Sequence, residues 1–228
     1  MDTPNGETEG SPATGTGAEG IGLPLELSPT AKALVEQTIE VLATRSVLHL
    51  DEPIELASGQ MSHHFVDAKA GLSHAADLRL ACETVATLAR EAGVEFDAVG
   101  GLTLGADHLA VGIALATDRE WFFVRKEPKK RGTAKLIEGA TLDANVRVLV
   151  VEDAVSTGSS LLQAIEAVEA TGARVVGAAT MIDRGGHLGP VLAERGVRYL
   201  PVASHTDLGL PPVAKSGPKT TIDPQGLV

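Results

Sequence analysis

A chain of 228 residues with 43% hydrophobic residues has enough apolar surface for one or two domains, and with only 3% aromatics its core must be built from Val, Leu, Ile and Ala. The formal net charge of −11 argues against a general binder of nucleic acid or anionic membrane, so any phosphate site must be local. A single cysteine, Cys82, excludes an intramolecular disulfide framework and fits a reducing cytoplasm.

Residues 1–27 are rich in Gly, Thr, Pro and Glu and lack the basic start and apolar stretch of a signal peptide or membrane span; a disordered tail is expected. Residues 15–20 match the dinucleotide fingerprint letter for letter, but no strand precedes them and no apolar helix follows, so the match is fortuitous. Ser28-Pro29 opens a helix to about Arg45, its stripe formed by Leu34, Val35, Thr38, Val41 and Leu42, and this is expected as a hood element beside the sheet. Segments 47–50, 54–57 and 65–67, interrupted by Pro53 and Gly59, suggest small antiparallel strands that complete a hood over 28–67. His63 and His64 would point to opposite faces of a strand, which disfavours a zinc site with His49 or His74.

Further along, helices are expected over 75–92, 105–116 and 188–195, and strands over 98–101, 121–124, 174–182 and 197–202. Cys82 falls inside the first of these helices, as a small buried hydrophobe rather than a nucleophile. From Pro211 the chain lacks periodicity and is expected as a C-terminal tail, leaving 28–210 as one domain. Strands alternating with helices at this spacing predict an α/β fold: a parallel sheet with right-handed crossovers and helices on both faces.

The most informative stretch lies inside that alternation. The apolar run 148–151 reads as a strand covered on both faces, it ends in Glu152 and Asp153, and Leu161, Leu162, Ile165 and Val168 follow at helical spacing. The turn between them therefore sits at the carboxyl edge of the sheet, where ligands bind and a helix offers unpaired N–H groups to an anion. Ser156, Thr157, Ser159 and Ser160 add hydroxyls around Gly158, more than the single hydroxyl that capping a helix requires. Two carboxylates at the rim would repel a bare phosphate, so the ligand should bring hydroxyls or a divalent cation; a sugar phosphate with magnesium does both.

A second feature is the run from Arg125 to Lys135, where Arg125, Lys126, Lys129, Lys130, Arg131 and Lys135 stand against Glu127, 6 − 1 = +5. Pro128 and Gly132 oppose regular structure. Such a run is ordinarily a solvated surface, but the strand before it ends at the same sheet edge, from which the run can reach a second anion.

Residues 46–209 resemble the orotate phosphoribosyltransferases of the type I phosphoribosyltransferase family through four segments: 58–67, 125–139, 152–160 and 181–184. The resemblance implies transfer of a 5-phosphoribosyl group from phosphoribosyl pyrophosphate (PRPP) to orotate, giving orotidine 5-monophosphate and pyrophosphate. It implies that Glu152 and Asp153 hold the ribose hydroxyls, and Mg2+ directly or through PRPP or water, while Ala154, Val155, Ser156, Thr157, Gly158, Ser159 and Ser160 wrap the 5-phosphate. Arg125, Lys126, Lys129 and Arg131 would bind pyrophosphate, with Lys129 on a mobile loop and Asp153 as catalytic residues. Phe65, Val66, Ser156 and Arg184 would bind orotate, although Arg184 could instead pair with Asp183. A homodimer whose loops reach the neighbouring site is implied as well.

The chain departs from the family pattern at four places: Arg131 stands where histidine is usual, Ala57 where a basic residue is frequent, Leu104-Gly105 where an aromatic-lysine pair is frequent, and Phe65-Val66 is less aromatic than the family norm. Two alternatives stay open: a transferase for another nucleobase, or a PRPP-sensing regulator without turnover, for which this acidic chain shows no nucleic-acid-binding domain.

Overall fold

The structure, a computed structural model, describes residues 26–56, 58–127 and 135–213. Residues 1–25 of the expected N-terminal tail, Ala57, Lys129 and Arg131 lie outside the described residues, whereas Leu27, expected in that tail, packs against the core.

In chain order the elements are α1 (Pro29–Arg45), β1 (Val47–Glu55), β2 (Met61–Val66), α2 (Ala68–Gly71), α3 (Ala75–Glu91), β3 (Ala98–Leu102), α4 (Asp107–Thr117), β4 (Glu120–Val124), β5 (Ile137–Gly139), β6 (Arg147–Val155), α5 (Ser159–Glu169), β7 (Arg174–Asp183), α6 (Leu188–Glu194) and β8 (Arg198–Ser204). Six strands form one sheet in the order β5-β4-β3-β6-β7-β8, parallel except for β5 at the edge. The run Val148-Leu149-Val150-Val151 is apolar throughout because its side chains alternate between two buried faces. Leu149 and Val151 join Leu88, Leu109 and Ile113 under α3 and α4, whereas Val148 and Val150 join Leu161, Ile165 and Leu192 under α5 and α6.

Ser28 starts α1 as expected, its hydroxyl accepting from Ala31 N at 3.2 Å. The helix packs mainly on α3, with further contacts to α2, β1 and β8. Ser28 N–H donates to Glu91 at 2.9 Å, the Thr38 and Thr84 hydroxyls meet at 2.8 Å in the interior, and Leu42 is fully buried in the core under α3.

The hood is a two-stranded antiparallel sheet, β1 with β2. Segments expected as separate strands merge into β1, whose pairing is irregular between His49 and Ile54, where Pro53 has no N–H to give. Strand β5 was not legible: it is three residues long and lies inside what the family resemblance treats as loop. Arg125 N–H donates to Leu136 O at 2.9 Å, so the basic run leaves and re-enters the sheet at adjacent points.

At the other end, the expected boundary at Pro211 cuts through a docked segment. Leu208, Leu210 and Val213 are buried, and Val213 N–H donates to Arg184 O at 2.9 Å. Among the described residues no helix is long and apolar enough to cross a membrane.

Candidate active site

Strand β6 continues two residues past the acids to Val155, so Glu152 and Asp153 are fixed by ladder hydrogen bonds, with Glu152 beside Thr180 of β7. Both are 6% exposed. Asp153 is satisfied: Oδ1 accepts from Ala154 N and Oδ2 from Lys69 Nζ, each at 2.7 Å. Glu152 is not, since its Oε2 is buried without a partner. Burial, reinforced by the Asp153 charge, pushes the Glu152 carboxyl pKa well up. An acid held this way is poised to accept from a ligand hydroxyl that fills the gap.

Behind the pair lies the turn from β3 into α4. A Cβ on Gly105 would fall 2.0 Å from Glu152 Oε1 and 2.9 Å from Asp153 Oδ1. A side chain at position 105 would therefore press on the tips of both acids, which would have to shift to admit it. His108, one turn into α4, has a buried Nε2 without a partner, and burial lowers its pKa.

The turn after Val155 has the shape the sequence suggested. Gly158 adopts φ +82°, and a Cβ there would meet Leu188 at 2.4 Å, so backbone conformation and space both demand glycine. Thr157 and Ser159 hydroxyls lie 3.2 Å apart at the exposed start of α5, where the first backbone N–H groups face outward for an anion. Val155 is the exception among the expected phosphate contacts: its side chain is 3% exposed in the core under α5, leaving only its backbone for the cradle.

A cleft of about 830 Å³ joins these parts, with Lys69, Gly105, Glu152, Asp153, Ala154 and Ser160 on its walls and Arg125 and Lys126 along one side. Arg125 also approaches Glu138 Oε1 at 3.8 Å. Sequence reasoning missed Lys69. It follows Asp67 in the one-turn helix α2, whose N-terminus Asp67 caps by accepting from Ala70 N at 3.0 Å. Burial opposes its charge, but the hydrogen bond and charge of Asp153 outweigh that and raise the ammonium pKa. The one available signal was a lysine two residues beyond the 58–67 segment.

Arg184 does not pair with Asp183. Asp183 accepts instead from Gly185 N at 2.9 Å, Gly186 N at 2.8 Å and Tyr199 OH at 3.0 Å. Arg184 is 3% exposed, its Nε lacks a partner, and burial lowers its pKa. Its N–H donates to Val155 O at 2.8 Å, and a Cβ on Gly185 would lie 2.2 Å from Ser156 O, so the Arg184 turn is pressed against the start of the cradle. Ser156 and Arg184 are thus neighbours. None of the four expected orotate contacts, Phe65, Val66, Ser156 and Arg184, lines the cleft; Phe65 is 39% exposed on β2, and Val66 points into the core, which leaves only its backbone for a ligand.

No group of three or more His, Cys, Asp or Glu suited to a metal occurs among the described residues. The acid pair, with one oxygen unsatisfied, fits a magnesium ion whose remaining ligands come from a substrate and water.

A mostly parallel sheet covered on both faces, with an acid pair and a hydroxyl-rich turn at its carboxyl edge, defines a phosphoribosyltransferase, and the family model for the phosphoribosyl transferase domain matches residues 83–197. Orotate phosphoribosyltransferase of Corynebacterium glutamicum is 39% identical over 188 residues, covering 81% of this chain and 97% of the relative. That of Mycobacterium avium is 38% identical over 184 residues, covering 79% and 99%. The crystal structure of Mycobacterium tuberculosis H37Rv orotate phosphoribosyltransferase in complex with PRPP matches with a TM-score of 0.64 and 35% identity, over 78% of this chain and 99% of that one. The chain belongs to the orotate phosphoribosyltransferase family.

Proposed function

We propose that this protein transfers the 5-phosphoribosyl group of PRPP to orotate, releasing pyrophosphate and forming orotidine 5-monophosphate for pyrimidine nucleotide (UMP) synthesis. The observation that carries the reading is the buried acid pair Glu152 and Asp153 opening onto one cleft with Arg125 and Lys126, in a family whose M. tuberculosis member has been solved with PRPP.

The ribose hydroxyls donate to Glu152 and Asp153, satisfying the orphaned Glu152 oxygen, while the turn from Ala154 to Ser160 receives the 5-phosphate on backbone N–H and hydroxyl groups. Attack by an orotate ring nitrogen at C1 passes through an oxocarbenium-like state in which positive charge grows on the sugar and negative charge on the departing pyrophosphate. Asp153 stabilises the first, and Arg125, Lys126, Lys129 and Arg131 the second. Magnesium held by Glu152 and Asp153, through PRPP or water, supplies further positive charge beside the leaving group. Arg184, whose buried Nε has no partner in the chain and whose turn is pressed against Ser156, takes the orotate carboxylate. The protein works as a cytoplasmic homodimer in which Lys129 and Arg131 reach the neighbouring site.

A panel of nucleobases offered with PRPP and magnesium tests the reading through pyrophosphate release. Orotate alone should support turnover. Turnover with a purine only, or PRPP binding without turnover, would replace it with one of the alternatives.

A further inference from the structure

Lys69 belongs to no expected part of the site, yet it touches one of its two acids. Its ammonium lies 2.7 Å from Asp153 Oδ2 and 4.0 Å from Asp67 Oδ1, and its side chain is 51% exposed whereas that of Asp153 is 9% exposed. The lysine thus meets the acid pair from the solvent side of the cleft. Its base is firm: Ala68 is buried, and a Cβ on Gly71 would fall 2.0 Å from Ser46 Oγ, so α2 is packed tightly against the end of α1. The long side chain is the movable part.

Three facts settle what that ammonium can do when a phosphoribosyl compound enters, an argument that rests on the reading proposed above. Ribose hydroxyls need the carboxylate lone pairs, and Lys69 occupies one of them, so the ligand displaces the ammonium from Asp153. The sugar ring then separates two anions, the C5 phosphate for the Thr157 to Ser160 turn and the C1 pyrophosphate, for which the cleft wall shared with Lys69 offers Arg125 and Lys126. Leu104 and Gly105, on the same wall, bring no cation to it. We infer that Lys69 binds the pyrophosphate of PRPP from within the same chain, and that Asp153 holds it ready until the ribose arrives.

Calorimetry on the full chain, with magnesium, tests this using three ligands: PRPP, pyrophosphate and orotidine 5-monophosphate. The last has the same ribose hydroxyls and 5-phosphate but no pyrophosphate. Lys69→Ala should weaken PRPP and pyrophosphate by about tenfold or more, the scale of one charge-assisted hydrogen bond, while the nucleotide changes less than about twofold. Lys69→Gln keeps a donor for Asp153 without the charge and should show the same selective loss even if the alanine variant is too unstable to handle; Lys69→Arg should restore most of the affinity. An equal loss for all three ligands would make Lys69 a prop for Asp153 and overturn the inference, and so would no loss for any. Because binding is read without turnover, failure of the wild type to use orotate would sink the proposed reaction and still leave the pyrophosphate contrast measured.

Discussion

Glu152 is the residue at which function and stability oppose each other most openly. A carboxyl whose pKa is raised by folding is more readily protonated in the native than in the unfolded chain. The native state therefore loses ground as pH climbs above the ordinary 4.5, and stops losing it once pH passes the raised folded value. Glutamine carries no such cost. Glu152→Gln should melt at a higher temperature than wild type at neutral pH in the absence of ligand, with the gap closing toward pH 4.5, and it should lose turnover; thermal melts across that range check it, and an unchanged melting temperature at neutral pH would contradict it. Lys129 makes a complementary case, because a cation acting on the leaving group affects the transition state more than bound substrate. Lys129→Ala should lower turnover by roughly a hundredfold while PRPP affinity falls less, with Lys130→Ala as a near-neutral control. If the loop serves the neighbouring subunit, hybrids of Lys129→Ala with Asp153→Ala protomers should recover part of the activity in a steady-state assay.

At the scale of elements, the turn from β3 into α4 is as important as the cradle. Gly105→Ala drives a methyl group into Glu152 Oε1 and Asp153 Oδ1, so PRPP affinity should drop by about tenfold or more while the melting temperature moves little, the acids being able to shift at the open cleft wall. Titration of PRPP into the variant checks this; undiminished affinity would mean that the acids tolerate displacement. The same scale shows why some elements were legible and others were not. Strand β6 announced itself because both faces are buried and its run is apolar, and Gly158 because a left-handed turn before a helix allows little else. Strand β5 has too few residues to carry a pattern, and the partner of α1 could not be read because its contact with α3 runs partly through a hydroxyl pair that joins positions 38 and 84. Lys69 was invisible because its meaning comes from an ion pair that spans 84 positions of sequence, which only the folded chain creates.

For the molecule as a whole, the alternation of strands and helices gave the α/β architecture, but the edges of the domain had to be read from contacts. Val213 fastens the chain over the Arg184 turn: its N–H donates to Arg184 O, and its carbonyl lies 3.3 Å from His187 Nε2. Ending the chain at Leu210 should therefore cost about 2 kcal/mol from the burial of Val213 and raise the KM for orotate more than that for PRPP. Ending it at Val213 should do neither, and removing residues 1–25 should likewise leave folding and turnover nearly unchanged. Denaturant melts and steady-state kinetics of the three truncations separate these outcomes; equal KM shifts for both substrates would detach the segment from the Arg184 turn.

The measurement closest to the heart of the matter is pyrophosphate release by the purified wild-type protein with PRPP, magnesium and each of orotate, uracil, adenine and guanine in turn. The buried acid pair, the cationic wall and the buried Arg184, with its Nε left for a ligand, together predict turnover with orotate and none with the bases that lack a carboxylate. Release with adenine or guanine but not with orotate would contradict the assignment of Arg184 and, with it, the reaction proposed for this site.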